Sequence, residues 1–542
     1  MTSTTTRLRP TPLSPGGPLT GPPARTAPIL PLWLAVVAGV GAGISLDAGF
    51  PDKNWWPLTL LGVGIVLVAL IGRRWNGALL VGFVAGATFW GTHIFWLTLY
   101  LGPVPWLGLT IFEAGYFALG AVLIAVVYRR ADRVWPGRWG RLGLVPIVVS
   151  GLWVLREGVN AVFPYGGFSW ARVAMSQSDS PFTSLVAWVG MSGLSFLLVW
   201  LVAFVVQLAR EGRWAADAIG RVPLSRSSRV LAAAIAVAAL IAVPAWPAPT
   251  EGTSRIAGVQ GNSNAGLFAV HERGDILSDH ASASRFLVGE DPDIVVWPEN
   301  ASDIDPTTNS LAASTLDAVS AELGDVPIVV GTIQVRGDKV YNTSLLWQNG
   351  QAVDHYDKRH PVPFAEWMPN RDFFHALAPD LVDLVTRDYE FGTTDLTFDI
   401  DGLMAGISIC FDITDDAVMR AMSAEGAQVV LAQTNNADFG QTDENLQQLA
   451  IARLRAVEFG RSVVNISTVG NSAIIGPDGQ NITTIPAYQA GAMVADVPLA
   501  TVQTPAAIVG FQVEWLVAGL GIGGLAVALI GGRAGRRPRT TR

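Results

Sequence analysis

The chain has 542 residues, of which 15% are charged and half are hydrophobic, with a mean hydropathy of +0.38. That excludes a disordered or fibrous chain, and 19 Trp and 57 Gly in an apolar background are a membrane-protein mixture, because Trp favours bilayer interfaces and Gly lets transmembrane helices approach closely. The net charge of −8 is unevenly divided: residues 251–508 hold 13 Lys and Arg against 35 Asp and Glu, and the rest of the chain holds 23 against 9, so an acidic domain is set in a basic apolar frame and no basic stripe points to nucleic acid.

The first 28 residues, rich in Pro, Thr and Ser, lack the apolar core of a signal peptide and are expected to form a disordered cytoplasmic N-terminus. Apolar runs follow at about 30–46, 57–71, 77–99, 104–127, 143–162, 184–209 and 229–247, with an eighth at 509–532. A helix needs roughly 20 residues at about 1.5 Å each to cross the hydrocarbon core. The pattern therefore predicts a polytopic α-helical bundle of eight spans: seven within 29–249, then a water-exposed domain at 250–508, the eighth span at 509–532 and a basic tail at 533–542. The first two runs are short and recruit Trp33, Trp55 and Trp56 at their edges.

Arginine placement orients the bundle. The N-terminus, residues 73–74, the loops at 128–142 and 210–229, and the tail carry 3, 2, 5, 5 and 5 basic residues, whereas the short loops on the opposite face carry Lys53 and Arg172. The positive-inside rule then puts both termini in the cytoplasm and residues 250–508 outside. Glycine triplets at Gly39, Gly41, Gly43 and at Gly519, Gly521, Gly523 lie inside spans with no preceding strand, which reads as helix packing and not as a phosphate loop. Glu113, Arg156 and Glu157 are ionisable groups within or near spans. Such residues line a lipid or substrate path or form an interfacial ion pair, and the sequence leaves both readings open.

Within the acidic domain, β-branched runs at Ile256–Gln260, Asp293–Trp297, Ile328–Ile333, Leu403–Ile409, Gln428–Ala432 and Val463–Ser467 alternate with helical stretches, the signature of an α/β domain. Between the last two, Leu446, Ala450, Leu454 and Val457 predict one buried face of a helix at 443–461. Three polar residues follow apolar runs: Glu299 after Trp297 and Pro298, Lys358 within Tyr356–His360, and Cys410 after Ile409. Strand ends are where α/β folds collect reactive groups. A thiol is mostly protonated at neutral pH, so Glu299 would take the proton from Cys410 as it attacks an acyl carbon, and Lys358 with the amide after Cys410 would face the oxyanion. Cys410 is the sole cysteine, which excludes an intrachain disulfide, and His355 and His360 lack companions for a metal site. No cofactor or metal is expected.

The Glu, Lys and Cys steps resemble the nitrilase superfamily of carbon-nitrogen hydrolases. Seven spans, such a domain and a final span resemble, more narrowly, the bacterial apolipoprotein N-acyltransferases. The likeness rests on Gln260-Gly261-Asn262, on Trp297-Pro298-Glu299, on the run Lys358 to Glu366 (KRHPVPFAE), on Ala452 to Glu458 (ARLRAVE), on Gly476-Pro477-Asp478-Gly479 and on Gly167-Phe168-Ser169-Trp170. It implies an extracytoplasmic αββα sandwich anchored in the bacterial plasma membrane. It also implies ping-pong acyl transfer from a phospholipid, usually from its sn-1 position, through a thioester on Cys410 to the α-amine of a diacylglyceryl apolipoprotein. Glu299, Lys358 and Cys410 would be catalytic, with Glu366, Phe411 and Asp412 in support and the enzyme a monomer. The family commonly follows its cysteine with Tyr and Glu where this chain has Phe411 and Asp412, and a common Trp of the later segment is matched by Asp438.

Two rivals remain at the level of sequence. A membrane-tethered amidase, in which water resolves the thioester, draws support from Asp412. A transporter or sensor with a ligand-binding outer domain draws support from Glu113 and Glu157, against the complete Glu, Lys and Cys set. Trp367, Met368, Phe373, Phe374 and Leu377 offer either an apolar lid edge or core packing.

Overall fold

The computed structural model describes residues 27–216, 222–266 and 269–534. Most of the expected N-terminal segment 1–28 and basic tail 533–542, and part of the 210–229 loop, lie outside the described residues. Each of the eight apolar runs contains a helix. The first seven are α1 (Leu32–Asp47), α2 (Pro57–Leu70), α3 (Trp75–His93), α4 (Pro103–Val134), α5 (Val145–Asn160), α6 (Val186–Ala216) and α7 (Arg226–Ile241). Among the described residues four helices are long and apolar enough to cross a membrane: Pro103–Val134, Gly140–Asn160, Thr183–Gly212 and Pro505–Gly531; Leu32–Asp47 and Pro57–Leu70 are shorter apolar helices.

Two boundaries differ from the periodicity. The run at 77–99 breaks at His93 and resumes as a single turn, Leu97–Tyr100. The break is held from outside the bundle: the His93 carbonyl accepts from the side-chain amide of Gln447 at 3.2 Å, which satisfies a helix-end carbonyl that would otherwise be orphaned. In α6, Gly190 sits at φ 72° and interrupts the helix near its start. The glycine triplets do pack helices, at alternate positions. A Cβ on Gly521 would lie 2.5 Å from the Gly151 carbonyl carbon, so the last helix and α5 touch backbone to backbone.

The acidic part folds as β1 (Thr250–Gln260), α8 (Asp275–Ser284), β2 (Ile294–Val296), α9 (Ser310–Glu322), β3 (Ile328–Arg336), β4 (Lys339–Gln348), β5 (Gln351–Asp357), β6 (Thr397–Ile400), β7 (Leu403–Ile409), α10 (Asp416–Ala424), β8 (Val429–Thr434), α11 (Glu444–Phe459), β9 (Ser462–Ser467), β10 (Ser472–Ile475), β11 (Asn481–Ile485) and β12 (Gly491–Ala500); α12 (Pro505–Ala534) follows. One sheet runs β12-β1-β2-β3-β4-β5 and the other β11-β10-β9-β8-β7-β6. The central strands β1 to β3 and β7 to β9 are parallel, with antiparallel neighbours outside them.

Period-two alternation explains the layers. Ile294 and Val296 share one core with Ile407, Val430 and Val464 of the opposite sheet, whereas Val295 and Trp297 pack with Leu277 of α8 and Leu316 of α9. Helices therefore cover the outer sheet faces in an αββα order. The α11 helix departs from the expected single buried face. It is buried almost all round, with Leu446 only half-buried, because its polar side is pressed against the bundle and not against water.

Candidate active site

Glu299, Lys358 and Cys410 all lie just beyond strand C-termini: β2, β5 and β7 respectively. Asn300 turns the chain sharply after Glu299 with φ 55°. The neighbouring strand makes room at Gly331, where a Cβ would stand 2.4 Å from the Pro298 carbonyl oxygen. Cys410 opens a 3₁₀ turn, Cys410–Thr414, and is itself left-handed at φ 51°. A non-glycine residue there stores about 1–3 kcal/mol, which surrounding bonds must hold. Asp412 supplies several of them. Its carboxylate accepts from Tyr356 Oη at 2.8 Å, from the amides of Arg359 and Ile409 at 3.3 Å, and from the His360 amide at 2.9 Å. The turn is thus pinned to the segment that carries Lys358.

The charged cluster is compact and nearly dry. Lys358 Nζ stands 3.2 Å from Glu299 Oε1 and 2.9 Å from Glu366 Oε2, and the lysine side chain is 1% exposed. Asn342 Nδ2 donates to both carboxylates, at 2.7 Å to Glu299 and 3.0 Å to Glu366. One ammonium is therefore shared by two carboxyl groups. Burial is the largest influence on Glu299 and raises it above the usual carboxylate range; Lys358 pulls it back and Glu366 pushes it up again. Burial pushes Lys358 down, but Glu299 and then Glu366 outweigh it and leave the ammonium well above the ordinary lysine value. The Cys410 thiol is pushed well up by burial and then by the Glu299 charge, against the pull of Lys358. The cluster sets a thiol pushed up, an ammonium held well up and a carboxyl group raised above its usual range within mutual electrostatic reach. Chemically, such a set can supply a nucleophile, an electrophilic stabiliser and a base.

Several neighbours were not singled out from the sequence. Gln448 Nε2 lies 3.7 Å from Cys410 Sγ, and Asn436 Nδ2 donates to Gln448 Oε1 and to Glu444 Oε2 at 2.8 Å each. Glu444 is buried, which raises its carboxyl to about 8. The bundle closes the other side. The Phe411 ring stacks on Phe168 and Trp170 at 6.2 Å, Trp170 Nε1 and Trp96 Nε1 both donate to Gln447 Oε1, and Tyr100 meets Phe439 at 5.1 Å. The possible lid edge is split: Met368 is buried with Val382 and Val385, while Phe373 and Leu377 are exposed.

Comparison with known proteins extends this geometry. Residues 42–204 match the family model of the apolipoprotein N-acyltransferase N-terminal domain, and residues 255–506 match that of carbon-nitrogen hydrolases. An apolipoprotein N-acyltransferase of Mycolicibacterium smegmatis is 31% identical over 527 residues, covering 91% of this chain and 84% of that protein. One from Vibrio cholerae is 24% identical over 504 residues, with 90% and 96% covered. Among solved structures, an amidase from Nesterenkonia sp. aligns at 18% identity and a TM-score of 0.36, covering 47% of this chain and 94% of that one.

Proposed function

The chain belongs to the apolipoprotein N-acyltransferase family, and we propose that Cys410, Glu299 and Lys358 carry its acyl transfer in two half-reactions through a thioester. The observation that carries this reading is the buried cluster of Glu299, Lys358 and Glu366 within electrostatic reach of the Cys410 thiol. In the first half-reaction Cys410 Sγ attacks the ester carbonyl of a membrane phospholipid while Glu299 takes the thiol proton, so no free thiolate has to form beforehand. The tetrahedral oxyanion faces Lys358 Nζ, a donor worth about 3 kcal/mol of barrier. Collapse breaks the acyl carbon–oxygen bond, and the departing alkoxide takes the proton from Glu299 to leave a lysophospholipid.

In the second half-reaction the α-amine of the acceptor's diacylglyceryl-cysteine attacks the thioester carbonyl. Glu299 accepts an amine proton, the carbon–sulfur bond breaks, and the proton returns to the sulfur of Cys410. Glu366 holds Lys358 in position, Asp412 and Phe411 hold the nucleophile turn, and no cofactor takes part. The aromatic side of the bundle that covers the turn favours lipid substrates over the water that an amidase would admit.

The arrangement in the membrane completes the proposal: eight spans, with seven in 29–249 and the last at 509–532, both termini in the cytoplasm, and the 250–508 domain on the outer face of the bacterial plasma membrane. The arginine distribution supports it. A monomer suffices, since one chain supplies the whole cluster. Incubating the purified full-length protein with acyl-labelled phospholipid tests the reading. Label should accumulate on Cys410 and move to a diacylglyceryl peptide on addition; prompt release as free fatty acid would make the protein a hydrolase, and absence of labelling would remove the thioester.

A further inference from the structure

Arg156, in α5, has its guanidinium between the rings of Phe117 and Trp153, 4.3 Å from each centroid. Among the described residues it makes no hydrogen bond, and its nearest carboxylate is Glu157 at 3.6 Å. A guanidinium fixed by two aromatic faces, with its donors unused, is preorganised for an oxyanion. It lines a small cleft, about 20 Å³ enclosed and about 360 Å³ with its open mouth, among α3, α4, α5 and the 168–172 segment. Among the described residues, four polar atoms of other lining residues are buried without a partner: Glu113 Oε2, Glu157 Oε2, Ser169 Oγ and Arg172 Nε. Glu113 is only 1% exposed. Buried polar atoms without a partner are costly unless a ligand or solvent completes them.

The surroundings point to the source of that ligand. Tyr116 and Asn160 line the half-exposed end of the cleft, and Tyr116 Oη donates to the Phe163 carbonyl at 2.8 Å. Exposed Phe112, Val159 and Phe163 lie beside it, an apolar rim of the kind that faces acyl chains. At the inner end, Phe168 lines the cleft and stacks on Phe411, the residue after Cys410. The cleft thus lies one ring away from the nucleophile turn. It presents the Arg156 guanidinium and the buried Glu113 carboxyl group to whatever enters. The lipoprotein acceptor brings an ammonium without an oxyanion, whereas an aminophospholipid brings both.

We propose that this cleft binds the zwitterionic headgroup of the phospholipid donor, with its phosphate at Arg156 and its ammonium at Glu113. The inference rests on the acyl-transfer reading above and adds the headgroup selectivity that the reading leaves open. The test measures single-turnover acylation of Cys410 in full-length protein from three donors: phosphatidylethanolamine, phosphatidylglycerol and a short p-nitrophenyl ester with no headgroup. Arg156→Gln should slow acylation from both phospholipids about ten- to hundredfold, the loss expected for a charge-assisted hydrogen bond, and leave the p-nitrophenyl ester within about twofold. Glu113→Gln should abolish only the preference for phosphatidylethanolamine over phosphatidylglycerol.

Unchanged phospholipid rates in Arg156→Gln would mean that the cleft holds solvent only, and would overturn the site. If Arg156→Gln loses all three donors together through misfolding, Glu113→Gln decides alone, and an unaltered headgroup preference there overturns the proposal. Wild-type protein that is acylated by none of the donors overturns the acyl-transfer reading and the headgroup site with it. Acylation of the wild type without headgroup discrimination overturns only the ammonium assignment.

Discussion

Arg172, in the segment between α5 and α6, stands 2.7 Å from the carboxylate of Asp416, the first residue of α10. Arg455 of α11 holds the same carboxylate at 2.7 Å through Nη2, which also donates to the Thr414 carbonyl, while Nε donates to that of Ile413, both in the turn that begins at Cys410. Burial alone would push the Asp416 carboxyl up; the two guanidiniums outweigh it and hold it well below the usual range. The bundle and the Cys410 turn therefore share one buried ionic joint, and the seating of the domain on the bundle bears on the position of the thiol.

Arg455→Met should expose the cost of that joint. It leaves Glu458, which Arg455 meets at 2.5 Å, as a buried carboxylate without its cation. Breaking one side of a buried pair costs about 3–5 kcal/mol. A clearly lowered thermal midpoint of the detergent-solubilised protein is expected, and an unchanged midpoint would show that water already screens the network.

Cys410→Ser should reduce turnover to background with the fold intact. An alkoxide is harder to form than a thiolate beside the same Glu299, and an oxygen ester is less reactive than a thioester toward an amine. Mass spectrometry of the intact protein after exposure to phospholipid is the check; transfer at the wild-type rate would take the nucleophile away from position 410.

Lys358→Arg keeps the charge and changes its shape. The ammonium sits between Glu299 and Glu366 in a space that leaves the lysine 1% exposed, where a planar fork cannot place its donors in the same way. Acylation should fall about 100- to 1000-fold, the range for losing one oxyanion donor, and Lys358→Ala should fall as far. Near-normal rates for the arginine variant would reduce Lys358 to a source of diffuse positive potential.

The proposed orientation can be read with a single thiol. Gly137, in the 128–142 loop, has open space where a side chain would go. In a Cys410→Ala background, Gly137→Cys should resist a membrane-impermeant maleimide on intact spheroplasts and react after permeabilisation. Labelling from outside would invert the topology derived from that loop's five arginines.

What the sequence displayed and what it hid have physical causes. Glu299, Lys358 and Cys410 were legible because each follows a strand, and strand ends cluster wherever parallel strands share a sheet. Strands β4, β5, β6, β10, β11 and β12 were missed, the first three although their turns were printed in the chain. Gly337-Asp338, Asn349-Gly350 and Asp401-Gly402 are two-residue hairpin loops, and the last two take positive φ at both positions. Asn342, on the missed β4, was lost with them. Gln448, Glu444 and Arg455 lay on a correctly expected helix, but their value comes from facing the bundle, a tertiary fact that an apolar period of 3.6 does not carry.

Glu366→Gln should shift the pH dependence of acylation, and the direction is fixed. Glu299 accepts the thiol proton only when ionised, so acylation falls as pH drops through its pKa. Burial raises that pKa most, Lys358 lowers it, and the neighbouring Glu366 charge raises it again. The acid limb of the wild-type profile should therefore lie above the ordinary carboxylate value of about 4.3. Replacing Glu366 by the neutral isostere removes the like charge, lowers the Glu299 pKa and moves the limb to lower pH. The maximal rate should also decline, because Lys358 loses the partner held at 2.9 Å. If Glu366 were itself the base, the variant would lose rate at every pH with no residual limb to shift; if it were a remote surface pair, neither quantity would change. Stopped-flow acylation by a p-nitrophenyl ester from pH 4 to 9 separates these cases, and a limb that stays in place or moves upward would overturn the assignment of Glu299 as base with Glu366 as its charged neighbour.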